Sequence, residues 1–225
     1  MPSDGEGHPC PPLKPAVDSL ALEAAATAPR KLDGEKAQRI VAAMRASVGA
    51  RGAAGSTFDV VAREAGVSRG LLHYYFGSKE RLMVEVVRRD ADTRVAAMEA
   101  EMASATSVDD VVASLASTFE AFVSGEPGTH AVLFEMLSAS RHSEEIRLEM
   151  ADLYRRWRAH LADALRQKER EGVVSLDADP ETVASLLFAL GDGMGVQLIS
   201  DPEWGREVSL DLAMDTARRI LGAES

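Results

Sequence analysis

The sequence of 225 residues has only one cysteine, Cys10, and this scarcity excludes two kinds of stabilisation. A single thiol cannot form an internal disulfide, and it cannot supply a thiolate cluster to a metal ion. The five histidines include no closely spaced ligand pair such as H-E-x-x-H; they are residues 8, 73, 130, 142 and 160. We therefore expect no metal site.

Long apolar runs are also lacking. No run approaches the roughly eighteen apolar residues that cross a bilayer, and the first thirty residues lack the basic-then-apolar order of a signal peptide. We expect a cytoplasmic protein with no membrane contact. Hydrophobic residues still make up 46% of the chain, which is enough for a sizeable core.

Positive charge is scarce overall but not locally. The net charge is −11, yet residues 30–94 carry 13 Lys and Arg against 8 Asp and Glu. The acidic excess lies before and after this segment, and the charge close to the phosphates governs nucleic-acid binding. Most of the nine prolines precede residue 30, in a stretch too poor in apolar residues to fold. We predict that residues 1–29 form a disordered N-terminal arm.

Residues 57–82 have the pattern of two short helices joined by a tight turn. Ser56 and Asp59 form a helix-start signal, and Gly66 can adopt the left-handed conformation that ends the first helix. Ser68 can cap the second helix, which would run from about Arg69 to Tyr75. A preceding helix is expected from Asp33, with one apolar face and an end at Gly49 and Gly52; the face comprises Ala37, Ile40, Val41, Met44 and Val48.

The outward side of the second helix suits nucleic acid. Arg69 offers a guanidinium for guanine or phosphate, Gly70 permits close approach, and His73 and Tyr74 offer ring groups. Two helices and a turn with this pattern indicate a helix-turn-helix, in which the second helix enters the major groove.

The run A-G-V-S-R-G-L-L-H-Y-Y-F-G-S-K-E-R-L resembles the DNA-binding signature of the TetR family of bacterial transcriptional regulators. The resemblance implies base contacts from Arg69 and Gly70, and backbone contacts from Thr57, Tyr74 and Lys79. His73 departs from the pattern, because many members have tyrosine there. The predicted DNA-binding set is Thr57, Ser68, Arg69, Gly70, His73, Tyr74 and Lys79.

The rest of the chain shows helical periods and no strand alternation, so we predict an all-α fold. Residues 30–80 would form a three-helix, helix-turn-helix DNA-binding domain, and residues 81–225 a helical effector-binding and dimerisation domain. Asp179 and Pro180 give a helix start, as an N-cap followed by proline in the first turn.

Aromatic and polar residues on the C-terminal helices are candidates for a ligand cavity, although aromatics at helical spacing more often form plain core. The candidates are Phe119, Phe122, Phe134, Met150, Tyr154, Trp157, Phe188 and Asp192. The resemblance implies a small-molecule effector, of unknown identity, that changes the spacing of two recognition helices.

Gly191, Gly193 and Gly195 permit another helix to come close. Their spacing is not G-x-G-x-x-G and no strand precedes them, so we expect packing or a dimer seam and no cofactor. The family resemblance implies a homodimer through the last two helices, about residues 180–221. A dimer can read two major-groove faces of a palindrome in double-stranded DNA.

These observations predict a repressor of a palindromic operator that an effector releases. An activator or a ligand-independent DNA binder is the alternative within the same class. A serine hydrolase is a remote alternative, because residues 66–70 spell G-x-S-x-G around Ser68, but that motif needs a buried strand before it. The segment before Ser68 is helical in period and charged, so we expect no enzyme.

Overall fold

The computed structural model describes residues 34–125, 128–201 and 206–222. These residues form nine α-helices and no strand, which confirms the all-α prediction. The predicted arm, residues 1–29, lies outside the described residues. The helices are α1 Glu35–Gly55, α2 Phe58–Ala65, α3 Arg69–Phe76, α4 Lys79–Ser104, α5 Val108–Val123, α6 Thr129–Ala139, α7 Glu144–Arg170, α8 Pro180–Ser200 and α9 Arg206–Ile220.

Helix α1 buries the apolar face that the sequence predicted, but it ends later. All five predicted face residues are buried, from Ala37 to Val48. The helix passes through Gly49, and only Gly52 leaves the helical conformation, with φ of 70°. The prediction is therefore wrong for Gly49, where helical bonding continues, and is borne out in part for Gly52, where the helix kinks.

The turn between α2 and α3 forms as predicted. Gly66 ends α2 in the left-handed conformation with φ of 66°, and the Ser68 hydroxyl accepts a hydrogen bond from the Leu71 N–H at 3.2 Å. The start of α2 differs from the prediction. Thr57 is the N-cap there, whereas the Ser56 hydroxyl donates back to the Gly52 carbonyl at 2.9 Å. Ser56 thus closes the end of α1 instead of opening α2.

Helix α4 connects the helix-turn-helix to the rest of the molecule without a break. One apolar core contains α1, α2 and α3 residues such as Leu72 together with Met136 of α6 and Leu153 of α7. Near this junction Arg45 of α1 pairs with Asp90 of α4, and the Arg45 Nε to Asp90 Oδ2 distance is 3.0 Å. The predicted domain boundary at residues 80 and 81 falls in the first turn of α4 and stays a prediction.

The C-terminal helices form a second core. Leu165 of α7, Ala184 of α8 and Leu221 are fully buried in it. Asp179 caps α8 as predicted, and its carboxylate accepts from the Glu181 and Thr182 N–H groups at 3.0 and 3.2 Å. Lys168 is buried too, and its ammonium donates to the Ala105 carbonyl at the end of α4.

Candidate DNA-binding surface and ligand cavity

Helix α3 has a buried side and an exposed side. Leu72 is completely buried in the core, whereas Arg69, Gly70, His73 and Tyr74 are exposed. A Cβ atom added at Gly70 would meet no other atom within 4 Å. The sequence predicted this separation, which presents the N-terminal residues of α3 to any partner that approaches the helix.

The Arg69 side chain is held in place by two neighbours. Its guanidinium contacts the Asp59 carboxylate of α2 at 3.0 Å, and its Nε lies 3.3 Å from His73 Nε2. The His73 ring also packs edge-on against Phe58, with 4.8 Å between ring centroids. Both members of the Arg69–Asp59 pair are more than half exposed, so water weakens their attraction.

The predicted phosphate contacts lie at helix starts. Thr57 is exposed, and its hydroxyl accepts from the Val60 N–H at 3.4 Å. Lys79 opens α4 and is half-buried; its ammonium donates to the Ala53 carbonyl at 3.0 Å. Lys79 thus also joins the start of α4 to the last turn of α1, a structural contact that the sequence did not predict.

Ser68 has the surroundings of a helix cap. The residues before it belong to α2, and the described part of the chain provides no strand for a nucleophile elbow. Its hydroxyl is already bonded to the first turn of α3. The remote hydrolase alternative therefore has no support in this geometry.

A cavity of about 190 Å³ lies between α4, α5, α7, α8 and α9, and Leu133 of α6 also lines it. Its wall is mostly aliphatic and aromatic, and the charged side chains that line it are Arg94 and Asp192. Thr118 also lines it, but the Thr118 hydroxyl donates to the Ser114 carbonyl at 2.9 Å. An apolar wall with few polar groups is typical of a small-molecule site.

The cavity includes some of the ligand residues that the sequence predicted and not others. Phe119, Phe122, Trp157, Phe188 and Asp192 line it. Phe134, Met150 and Tyr154 do not: Met150 is buried in the first core, and Tyr154 packs on Trp157 with 5.0 Å between ring centroids. Whether any of these residues binds a ligand stays a prediction.

Two ionisable groups on the cavity wall are perturbed in opposite ways. Burial lowers the pKa of the Arg94 guanidinium, an effect that Asp90 opposes and Arg45 reinforces. Burial raises the pKa of the Asp192 carboxyl, although the Tyr154 hydroxyl donates a hydrogen bond to it. Arg94 is not among the ligand residues predicted from the sequence. The pattern that indicates it is a charged residue on the buried side of α4, three residues after Ala91 and four before Met98.

The surfaces of α8 and α9 expose large apolar side chains. Leu186, Val196 and Ile199 of α8 are exposed, and Leu212 of α9 is 65% exposed. Helix α8 is also long and apolar enough to span a membrane by length and composition. This is weak evidence for a membrane span, because the core helices of soluble proteins pass the same test. A Cβ atom added at Gly195 would lie 3.4 Å from the Phe122 ring, whereas one added at Gly193 would meet no atom within 4 Å.

Comparisons with known proteins cover both halves of the described chain. Residues 40–86 match the family model described as bacterial regulatory proteins, tetR family, and residues 111–222 match that of the BetI-type transcriptional repressor, C-terminal. The chain is 34% identical over 181 residues to the HTH-type transcriptional regulator BetI of Rhizobium meliloti, covering 78% of this chain and 84% of that protein.

Solved structures share the fold. A putative transcriptional regulator from Saccharomonospora viridis in complex with choline has a TM-score of 0.63 at 24% identity, covering 81% of this chain and 93% of that one. FadR from Bacillus subtilis in complex with stearoyl-CoA has a TM-score of 0.66 at 15% identity, covering 84% and 99%. Because both family models and the BetI relative match a chain with an exposed α3, the chain belongs to the TetR family of bacterial transcriptional regulators.

Proposed function

We propose that this regulator is a homodimeric repressor whose two α3 helices read a palindromic operator. The exposed N-terminal half of α3 carries the proposal, because a helix-turn-helix presents such residues to base edges. Arg69 and Gly70 would contact bases, with His73 beside them. Thr57, Tyr74 and Lys79 would contact phosphates, while Ser68 fixes the start of α3. Such a regulator acts in the cytoplasm, where the operator is.

The proposed operator release depends on a small molecule in the cavity between α4, α5, α7, α8 and α9. The matching repressor-type C-terminal model and the ligand-bound structural neighbours support this site. Release requires that the effector bind the DNA-incompetent state more tightly than the DNA-bound state. By linkage, operator DNA must then weaken effector binding by the same factor.

The dimer would form through the exposed apolar surfaces of α8 and α9. Exposed large apolar side chains that concentrate on one part of a molecule mark an interaction site, and α8 and α9 carry four of the six in the described residues. Gly193 leaves room for a second helix. Sedimentation of Leu186→Glu measures this directly, with Leu148→Glu as the matched control because Leu148 is an exposed leucine on α7. Leu186→Glu should sediment as a monomer and the control as a dimer; two identical dimers would contradict the assignment.

Selection of bound duplexes from a random library tests the function itself. We expect the purified protein, at a fixed and stated salt concentration, to recover a palindrome with half-sites about one helical turn apart, or a multiple of this. Salt must be fixed because phosphate contacts make affinity strongly salt-dependent. Recovery of unselected sequence at ordinary salt, without and with candidate effectors, would contradict a sequence-specific operator.

A further inference from the structure

The Arg94 guanidinium is a partly buried cation on the cavity wall. Within residues 34–125, 128–201 and 206–222, its side chain forms neither a hydrogen bond nor an ion pair. It lies over the Phe122 ring, whose centroid is 5.2 Å from the guanidinium carbon. Burying a charge that no hydrogen bond or ion pair satisfies is costly, so a directly bound anionic group would stabilise this arrangement.

The nearby carboxylates compensate the Arg94 charge only in part, since Asp90 attracts it from a distance without pairing with it. Asp90 uses both oxygens to pair with Arg45 on α1. Asp192 lines the same cavity but accepts its hydrogen bond from Tyr154, and it forms no ion pair with Arg94 in the part of the chain that the structure describes. The guanidinium therefore has donors to offer to a molecule inside the cavity.

The geometry points to an effector that is an apolar carboxylate, with its carboxylate on Arg94 and its apolar body among Phe119, Phe122 and Phe188. This inference rests on the proposed effector site and specifies its chemistry. A guanidinium matches a carboxylate with two parallel N–H donors, which is the strongest form of such a contact. An effector whose only charge is positive would instead be repelled by Arg94 in a low-dielectric cavity.

The cavity volume limits the size of the part of the molecule that it can enclose. An engineered protein cavity of about 150 Å³ holds benzene, and this cavity is about 190 Å³. A single aromatic ring with a short carboxylate arm therefore suits it. Stearoyl-CoA, which one structural neighbour binds, is far larger than this volume.

Binding to the full-length protein tests the proposal. Trp157 lines the cavity, so its fluorescence reports binding once the other tryptophan is removed as Trp204→Phe. The probes are 3-phenylpropanoate, its neutral isostere 3-phenylpropanamide, and choline. Arg94→Met, Arg94→Lys and the matched control Arg155→Met are compared with the parent; Arg155 is an exposed arginine on α7.

We expect the parent and Arg155→Met to bind the acid about tenfold or more tightly than the amide, because the amide cannot form a charge-assisted bidentate pair. Arg94→Met should bind acid and amide alike, and Arg94→Lys should keep part of the preference. Amide binding by Arg94→Met shows that the cavity is intact.

Several outcomes would overturn the proposal. These are equal binding of acid and amide by the parent, an acid preference that survives in Arg94→Met, tighter binding of choline than of the acid, and no binding of either phenyl probe. Operator binding is measured on the same samples. If the parent binds its operator selectively and any of these outcomes occurs, only the carboxylate chemistry of the effector is rejected. If the parent shows no selective DNA binding, the proposed function is rejected.

Discussion

The Gly70→Ala variant separates contact with DNA from folding. Gly70 is the second residue of α3, and an added Cβ would touch nothing within 4 Å in the free protein. Alanine is favoured over glycine in a helix by up to about 1 kcal/mol. The thermal midpoint should therefore stay the same or rise by about 1–3 °C. If α3 enters the major groove, the same methyl group occupies the space that the base edges need.

The expected decrease in operator affinity follows from the number of base contacts disturbed. Each disrupted base contact costs about 1–3 kcal/mol, and a dimer carries two copies, so affinity should fall by about tenfold or more. Fluorescence anisotropy with the selected operator and with a scrambled duplex measures the affinity. Circular dichroism monitors thermal unfolding of the same proteins. Binding to the scrambled duplex should change little.

Gly66→Ala is the matched contrast. An added Cβ at Gly66 also meets no atom, but its φ of +66° costs a non-glycine residue about 1 kcal/mol. Its stability and its operator affinity should fall together. Full operator affinity in a Gly70→Ala protein that is as stable as the parent would refute the placement of α3 against the bases.

Three further predictions concern charged groups. Asp90→Asn should lower the free energy of unfolding in urea by about 2–4 kcal/mol, because it removes the carboxylate from a largely buried ion pair, whereas the exposed control Asp152→Asn should change it by about 0.5 kcal/mol or less. Asp192→Asn should raise stability at pH 7, because burial raises the Asp192 pKa and the folded state favours the neutral carboxyl, and this gain should vanish below about pH 4. Lys79→Ala should weaken binding to all duplexes and reduce the salt slope by about 0.9 for each phosphate that the protein no longer neutralises, whereas Arg69→Ala should also change the preferred base.

Each of these three has an outcome that contradicts it. Equal effects of the two Asp→Asn changes at residues 90 and 152 would mean that water screens the Asp90 pair. A gain for Asp192→Asn that is the same at pH 7 and pH 4 would mean that titration of this carboxyl is not its cause. An equal decrease on every operator variant after Arg69→Ala would restrict Arg69 to backbone positioning.

The helix-turn-helix could be predicted from the sequence because its signals are local. Gly66 ends α2 through its own backbone conformation, and Ser68 caps α3 through a bond to a residue three positions away. The predicted end of α1 at Gly49 was wrong, because Gly49 stays helical in the folded protein. Ser56 and Thr57 both carry a hydroxyl, and the sequence does not decide which of two adjacent hydroxyls becomes the cap.

The cavity could be predicted only in part. Periodicity identifies the apolar side of each helix, but not which sides enclose space and which pack tightly. Phe122 and Phe188 line the cavity, whereas Met150 fills the first core and Tyr154 contacts Trp157 from outside the lining. These residue types have the same periodic signal, so only the three-dimensional packing distinguishes them.

Arg94 shows what such packing adds to the sequence. It lies one helical turn after Asp90 on α4, and Asp90 holds Arg45 of α1, the helix against which α2 packs. Asp90 and Arg45 both influence the Arg94 pKa, so the three charges form one electrostatic group. A change of charge at Arg94 therefore alters the electrostatic environment of the Arg45–Asp90 pair, which joins α1 to α4. Asp90 thus joins α1, which packs on α2, to the part of α4 that carries Arg94, and no local sequence pattern connects residues 45 and 90.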